Sequence, residues 1–411
     1  MSDNTPIEAP LAAPSALALL RVFRHRNYRL FFTGQLVSLM GTWMQSVAQG
    51  WLVYSMTHSP FLLGLTSFAG QIPLFFMSAF GGMIADRVER RRLLVVTQSL
   101  SMVQAGLLAT LTLTGVVQVW EVMALALCMG LINAFDVPTR QSFTIEMVGR
   151  EDLRHAIALN SMMFNLARII GPTAAGLLVA AAGEGLCFAL NAISYAAVLA
   201  SLIAMHVPKR PPRVTEHPLR ELKAGAAYCW RTRQIRVSLV LVAVCGCFGA
   251  AYIPLMPAVA RDVLHQGSQG LGFLMGSVGA GALIGAYMLT RIHERHLTLV
   301  PILAAASFGA SLILFSNSHW LVLSMLLLLP TAFSLMLLGG STNTILQTVS
   351  EDHFRGRVIS FYAMSFVGMM PWGSLILGTI ASHLGISAAI SIGGAMCIIA
   401  ATGAYFDKAK G

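Results

Sequence analysis

The chain has 411 residues, of which 56% are apolar and only 11% charged, and it carries a formal net charge of +10; a soluble domain carries roughly a quarter charged residues. With a mean hydropathy of +0.71, these figures exclude an ordinary soluble enzyme and a disordered, collagen-like or disulfide-stapled chain. The basic residues are parcelled out between long apolar runs rather than gathered on one face, which argues for a lipid bilayer and against nucleic acid as the partner.

A helix needs about 20 mostly apolar residues to cross roughly 30 Å of hydrocarbon. Residues 1–28 come first. Asp3 and Glu8 precede a modest apolar patch and Arg21, Arg24 and Arg26 follow it, the reverse of signal-peptide order, so a short cytoplasmic tail is expected. Stretches free of Asp, Glu, Lys and Arg then delimit the spans, and three long ones divide at Ser55–Pro60, Ser316–His319 and Ser382–Gly385. The pattern predicts an all-α membrane protein with twelve transmembrane helices near 29–54, 61–85, 93–115, 119–138, 156–182, 186–206, 237–260, 270–290, 297–316, 320–342, 356–382 and 385–406.

Span 1 carries Gln35, Ser38, Thr42, Gln45 and Gln49 at every third or fourth residue, an arc of about 80° at 100° per residue. A polar stripe in a lipid-spanning helix must face protein or water. Five aligned polar residues favour the wall of a substrate pathway; interhelical hydrogen bonding, worth about 0.6 kcal/mol per contact, is the plainer reading. Between spans 2 and 3 lies Gly82-Met-Ile-Ala-Asp86-Arg87-Val-Glu89-Arg90-Arg91-Arg92. Here a carboxylate at a helix end can pair with arginines and cap a neighbouring helix, while glycine permits close approach.

Span 4 begins near Glu121 and ends with Asn133, Asp136 and Arg140 on one arc of about 60°, provided Pro138 does not turn the helix aside. Asp136 is either a protonation or gating residue or the partner of Arg140 in an (i, i+4) pair that tidies a helix end. In span 5, Arg168 follows the span start by about 12 residues, roughly 18 Å deep at 1.5 Å each, where an arginine costs about 2.5 to 3.5 kcal/mol. Asn165 is placed to help solvate it, with Asn160 and Ser161 on nearby faces, and Asp136 and Glu121 are the candidate counter-ions. Arg168 then either attracts an anionic substrate group, releases a carboxylate for protonation, or completes a structural pair. No carboxylate falls at the middle of a span, Glu121 and Asp262 being near the outer face and Asp136 near the inner.

The connection 207–236 holds eight basic residues and Pro208, Pro211, Pro212 and Pro218, and divides the spans six and six. The expected organisation is a tail at 1–28, a six-helix bundle at 29–206, a basic linker at 207–236, a second bundle at 237–406 and a tail at 407–411. At an offset of 200, Thr144, Ile145, Glu151 and Asp152 match Thr344, Ile345, Glu351 and Asp352, as a duplicated transporter would show. In the second half Tyr252, with Trp43 and Trp372, lies deep enough to stack on a substrate or simply pack. Trp120, Trp320, Tyr54 and Tyr405 sit near span ends as interface anchors. Ser277, Gly281 and Gly285, and Ser374 with Gly378, form small-residue ridges for close packing. Pro172 and Pro371 are expected to bend their helices.

Tails and even-numbered loops, counted with Arg29 and Arg357 at the span edges, hold 25 of the 27 Lys and Arg; Arg261 is the one basic residue in the other loops and Arg168 lies deep within a span. Cytoplasmic loops carry such an excess, so both termini are expected in the cytoplasm of a bacterial-type inner membrane.

The Gly82 to Arg92 segment resembles the G-x-x-x-D-R-x-x-R-R loop of the major facilitator superfamily, with Glu89 where many members have a second glycine. Arg291, Glu294 and Arg295 form a degenerate echo after span 8. The stretch Asn133-Ala-Phe-Asp136-Val-Pro-Thr-Arg140-Gln, Gly149-Arg-Glu-Asp-Leu153, Asn160-Ser, Phe164-Asn-Leu-Ala-Arg168 and Gly171-Pro172, with Phe23 to Phe32, looks like the branch that holds the enterobactin exporter and macrolide efflux proteins. The resemblance implies the twelve-helix fold in two pseudo-repeats and a cytoplasmic gate at Gly82, Asp86, Arg87, Arg90 and Arg91. It also implies alternating-access export of a small organic molecule, siderophore or drug-like, by a secondary active transporter, usually a proton antiporter. A lipid or metal-ion carrier or a membrane scaffold is the alternative. No H-E-x-x-H, G-x-S-x-G or G-x-x-x-x-G-K-[ST] pattern is present, so no enzyme, cofactor, resident metal or ATP drive is expected.

Overall fold

The computed structural model describes residues 21–149, 151–205, 218–292 and 298–409, and these are almost wholly helical. The tail before 21, the linker segment 206–217, and Glu294 and Arg295 lie outside the described residues, as do the surroundings of Gly82 and the side chain of Asp86. The helices are α1 (Arg26–Thr57), α2 (Pro60–Arg87), α3 (Arg90–Leu113), α4 (Val119–Val148), α5 (Leu153–Ala182) and α6 (Glu184–Ala204). After α7 (Pro218–Arg231) come α8 (Arg233–Val263), α9 (Ser268–Leu289), α10 (Val300–Ser316), α11 (Leu321–Val349), α12 (Asp352–Leu384) and α13 (Ile386–Ala409). A helix stands at each expected span.

Ten of the helices are long and apolar enough to cross a membrane. The other two at expected spans are α10, apolar but of 17 residues, and α1, of 32 residues, whose polar stripe dilutes its hydropathy. Single glycines close the turns α5–α6 and α12–α13: Gly183 has φ 78° and Gly385 φ 89°. In that left-handed backbone a Cβ is disfavoured. The two turns occupy equivalent places in the two halves. The end of the molecule holding them, which carries few basic residues, is termed the outer end below.

Two helix ends run past expectation, and one break falls at an expected bend. Helix α4 continues ten residues past Pro138, because Phe143, Met147 and Val148 are buried with Tyr28, Phe31, Leu94, Ala156 and Leu202 in a second core at the inner end. That burial, about 1.5–3 kcal/mol for each large side chain, outweighs the proline and threonine that read as a loop. Its counterpart α11 likewise runs on to Val349, with Ile345 and Leu346 buried. The break in α12 falls between Phe366 and Met370, just before Pro371, whose missing N–H suits the first turn of a resumed helix.

Helix α8 is not a plain span. A π turn at Cys245–Gly249, a 3-10 stretch at Ala250–Leu255 and a second π turn at Val259–Val263 succeed one another. Pro254 and Pro257 remove two donors from this segment and unsettle its ladder. The linker contributes α7, whose Cys229 is buried with Ile235, Leu346 and Val358 and whose Tyr228 stacks on Phe354 with centroids 4.4 Å apart.

Candidate functional site

The polar face of α1 is turned largely into the first six helices. Gln35, Ser38 and Gln45 are buried, and Thr42 and Gln49 are half-buried. Asn191 of α6 donates to Gln45 Oε1 at 2.7 Å, and the Gln45 amide donates to Gln104 Oε1 of α3 at 3.1 Å. Gln104 in turn donates to the Leu125 carbonyl of α4 at 3.1 Å. One chain of amides thus ties four helices together. Thr42 donates to the Ser38 carbonyl at 2.9 Å and meets the Tyr195 hydroxyl at 3.3 Å. Gln35 Oε1 is buried with no hydrogen-bond partner.

Asp136 is also buried, between α3 and α4. Its Oδ1 accepts from Thr97 Oγ1 at 2.7 Å and Gln98 Nε2 at 2.8 Å, and its Oδ2 from Arg140 at 2.6 Å. The carboxylate is fully occupied within this half, so Asp136 is not the counter-ion of Arg168. Nor is Glu121, which caps its own helix by accepting from the Gln118 N–H at 2.8 Å. Asn133 is half-buried on α4. Asn160 Oδ1 accepts from the Tyr28 hydroxyl at 3.0 Å, and its amide reaches Thr144 Oγ1 at 3.4 Å. The Asn165 amide turns back to the Ser161 carbonyl at 2.8 Å rather than toward Arg168.

Arg168 stands where α5 meets the second half. Its guanidinium lies 5.9 Å from the Trp43 ring centroid, and among the described residues no carboxylate pairs with it. The cation–π contact is worth about 2 kcal/mol when desolvated, less than the roughly 2.5 to 3.5 kcal/mol cost of an arginine at mid-membrane. Its backbone carbonyl is seated beside Gly279 of α9. In the second half, Tyr252 of α8 belongs to the hydrophobic core. That side chain is fully buried, edge-on to Phe308 and Phe315 at 6.5 and 6.3 Å, and its hydroxyl has no hydrogen-bond partner. The irregular winding of α8 carries Tyr252 in its 3-10 stretch, with a π turn on either side. Trp43 in turn meets Phe164 edge-on at 5.6 Å, so an aromatic wall flanks the cation.

In the loop of α2 and α3, Arg90 pairs with Glu146 of α4 at 2.6 Å. Arg91 donates to the Leu202 and Ile203 carbonyls at 2.7 and 2.9 Å, closing the C-terminus of α6. Arg92 pairs with Glu89 at 2.8 Å, and Arg87 is exposed. Nearby, Asp152 receives Arg24 and His25, each at 2.8 Å. The hydrogen bond from His25 and the charges of Arg24 and Arg21 hold this carboxyl below its ordinary range.

The two halves meet along two glycine seams toward the outer end. A Cβ on Gly64 of α2 would run into the Ser374 carbonyl of α12, and one on Gly176 of α5 would lie 2.6 Å from the Ser268 carbonyl and 2.7 Å from Gly272 Cα of α9. Gly276 and Gly279 continue the second seam against Thr173 and Ile169. Gly281 and Gly285 instead seat the carbonyls of Leu329 and Phe333 on α11, within the second half. The Tyr54 hydroxyl donates to Asp262 across the halves. Tyr54 is therefore not an interface anchor: it is buried at 1% exposure, whereas Trp120 and Trp320 are 64% and 77% exposed. Among the described residues every salt bridge joins groups of one half.

Sequence reasoning passed over Thr97, Gln98 and Gln104, which repeat along span 3 as plainly as the stripe on span 1, and the Gly272-x-x-x-Gly276 spacing on span 8. The pairing of Tyr54 with Asp262 joins residues 208 positions apart and left no local signal.

The transmembrane secretion effector family model matches residues 16–409. The staphyloferrin A transporter of Staphylococcus aureus (strain NCTC 8325 / PS 47) is 25% identical over 389 residues, 93% of this chain and 96% of that protein. The enterobactin exporter EntS of Shigella boydii serotype 4 is 25% identical over 363 residues, 88% of this chain and 86% of that one. Among solved structures, a bacterial homologue of the human lysosomal transporter Spinster superposes with TM-score 0.71 at 14% identity, covering 93% of this chain and 97% of that one. The nucleoside transporter NupG gives 0.70 at 12% identity, over 95% and 98%.

Proposed function

The chain belongs to the transmembrane secretion effector family of the major facilitator superfamily and is an integral membrane transporter, and we propose that it exports a siderophore-like small organic molecule from the cytoplasm. The cargo reading rests on the two relatives that carry siderophores across membranes. Both termini lie in the cytoplasm of the inner membrane on this reading, which the loop charges support. Proton antiport drives the cycle, and Asp136, Glu121 and Arg168 are its coupling candidates. The pathway runs along Arg168 and Tyr252, with Gln35, Ser38, Thr42, Gln45, Gln49, Asn133, Asn160 and Asn165 on the helices beside it. Gly82, Asp86, Arg87, Arg90 and Arg91 form the cytoplasmic gate.

One observation carries the mechanism: the halves are sealed by glycine seams and the Tyr54–Asp262 hydrogen bond toward the outer end, whereas among the described residues the salt bridges stay within one half. This is the arrangement of an alternating-access carrier closed to the outside. Rocking the halves apart breaks the seams without disturbing the amide chain that holds the first bundle rigid. Everted membrane vesicles, loaded in turn with a siderophore, drug and metal-ion panel, test it. Siderophore accumulation that collapses with the proton gradient is the expected result; no flux for any member, with or without the gradient, would leave a scaffold instead.

A further inference from the structure

At the inner end of the second half, a groove of about 420 Å³ runs along the seam between α8 and α13. Its walls are apolar, with Val240, Val244, Met396 and Ile399 among them, and its mouth carries Trp230, Arg236 and Asp407. Trp230, Val240 and Ile399 are exposed, so the groove opens onto the surface that lipid covers. At 1.5 Å per residue, Val244 lies about 12 Å from Arg236 along α8, and Met396 about 16 Å from Asp407 along α13. The roughly 30 Å hydrocarbon core is two leaflets thick. The groove therefore runs the depth of one leaflet, the reach of an acyl chain. Gly403 also lines it, and a Cβ there would meet nothing within 4 Å; the missing side chain keeps the groove open.

Charge at the mouth selects among lipids. Arg233 pairs with Asp407 at 3.0 Å and neutralises it. Arg236 supplies the remaining positive charge: it donates to the Trp230 carbonyl at 3.0 Å, its guanidinium lies 5.7 Å from the Trp230 ring centroid, and among the described residues no carboxylate pairs with it. A guanidinium has five N–H donors, and those that the carbonyl does not engage suit a phosphate oxygen. Tryptophan and arginine at headgroup depth above an apolar cleft between helices are what an anionic headgroup requires.

We propose that this groove binds one anionic phospholipid of the leaflet at the inner end, its phosphate on Arg236 beside Trp230 and one acyl chain lying between α8 and α13 past Gly403. Because Trp230 belongs to α7, the bound lipid braces the linker helix against the second bundle. The site is independent of the cargo and of the direction of transport.

The test titrates the delipidated full chain in detergent with phosphatidylglycerol and with phosphatidylethanolamine of the same acyl chains, and reads the first binding step by native mass spectrometry. Wild type is expected to prefer phosphatidylglycerol by about fivefold, the effect of one basic residue at a membrane surface. Arg236→Gln is expected to bring the two lipids within about twofold, and Arg236→Lys to restore the preference, which a purely structural arginine would not do. Gly403→Leu fills the groove, and should weaken both lipids at least about fivefold. Its thermal stability without lipid should be equal or higher, since leucine is the better helix former, so loss of binding there is not loss of fold. Equal binding of both lipids by wild type, a preference that survives Arg236→Gln, or unchanged binding in Gly403→Leu would each overturn the site. A dimer of the wild-type chain that Gly403→Leu dissociates would overturn it too, by giving the groove to a second copy. None of these outcomes alters the flux measured in vesicles, so this proposal and the transport reading fail separately.

Discussion

Substituting Gly176 with alanine asks whether the outer seam governs the access switch. The added Cβ would lie 2.6 Å from the Ser268 carbonyl oxygen and 2.7 Å from Gly272 Cα, both backbone atoms that cannot swing aside. Non-bonded carbons settle at about 3.5–4.0 Å, so α5 and α9 must part by about 1 Å. Overpacking of this kind costs about 1–3 kcal/mol, and it falls on the outer-closed state because the seam is absent once the halves separate. The closed-to-open ratio should drop about 5- to 150-fold. Thr173→Cys, in the same seam against Gly276, provides the reporter. Cys128 is replaced by serine because it is the exposed native thiol; the other five are buried. Labelling by an impermeant maleimide added to the outer face should quicken by at least about tenfold in Gly176→Ala. Gly106→Ala, where a Cβ meets nothing within 4 Å, should leave the rate unchanged. A Gly176→Ala protein that labels at the parent rate and transports normally would refute the assignment of the seam to the closed gate.

Tyr54→Phe removes the one hydrogen bond from Tyr54 to Asp262 across the halves. A bond to a charged group is worth about 1.5–3 kcal/mol, and with Asp262 exposed the lower end applies, so the same labelling assay should show a rise of about tenfold. Asp136→Asn leaves Arg140 without its carboxylate and disturbs Thr97 and Gln98. A loss of about 3–5 kcal/mol is expected, read as a lower Tm, while substrate exchange without a pH gradient should persist if the carboxylate is structural and fail to respond to pH if it couples protons. The carboxyl of Asp152 has a folded pKa held below its unfolded value by His25 and then by Arg24 and Arg21. Its stabilisation is therefore complete above the unfolded value, about 3.9, and is lost as pH falls through the folded one. Hydrogen exchange at residues 21–28 should accelerate only in that acid window, and acceleration between pH 7 and 5 would contradict this.

Much of the architecture was legible because the bilayer is a demanding solvent. Charges cannot be scattered through spans, so Leu30 to Ala85 or Val358 to Phe406 had to be membrane hairpins. The same logic flagged Arg168, whose cost at depth marks it whatever its partners. Helix ends were harder to read. Pro138 looked like a terminus, yet Phe143 and Met147 are buried beyond it by residues from α1, α3 and α6, neighbours that a local pattern does not contain.

The candidate site divides in the same way. Periodicity showed that Gln35, Ser38, Thr42, Gln45 and Gln49 share a face of α1, since 100° per residue is a property of the chain alone. Which surface that face meets depends on how α1 is rotated against α3 and α6, and the Gln45–Asn191 and Gln45–Gln104 bonds turn much of it inward. The sequence by itself determined that the chain crosses a membrane, where its spans lie and that one arginine sits among them, because hydrophobic length and charge are additive along a polymer. Only the tertiary structure decided that Asp136 takes Thr97 and Gln98 of α3, that Tyr54 reaches Asp262, and that Arg168 lies against Trp43 of α1. Those pairings are set by helix rotation and by contact between distant residues, which no single stretch of sequence encodes.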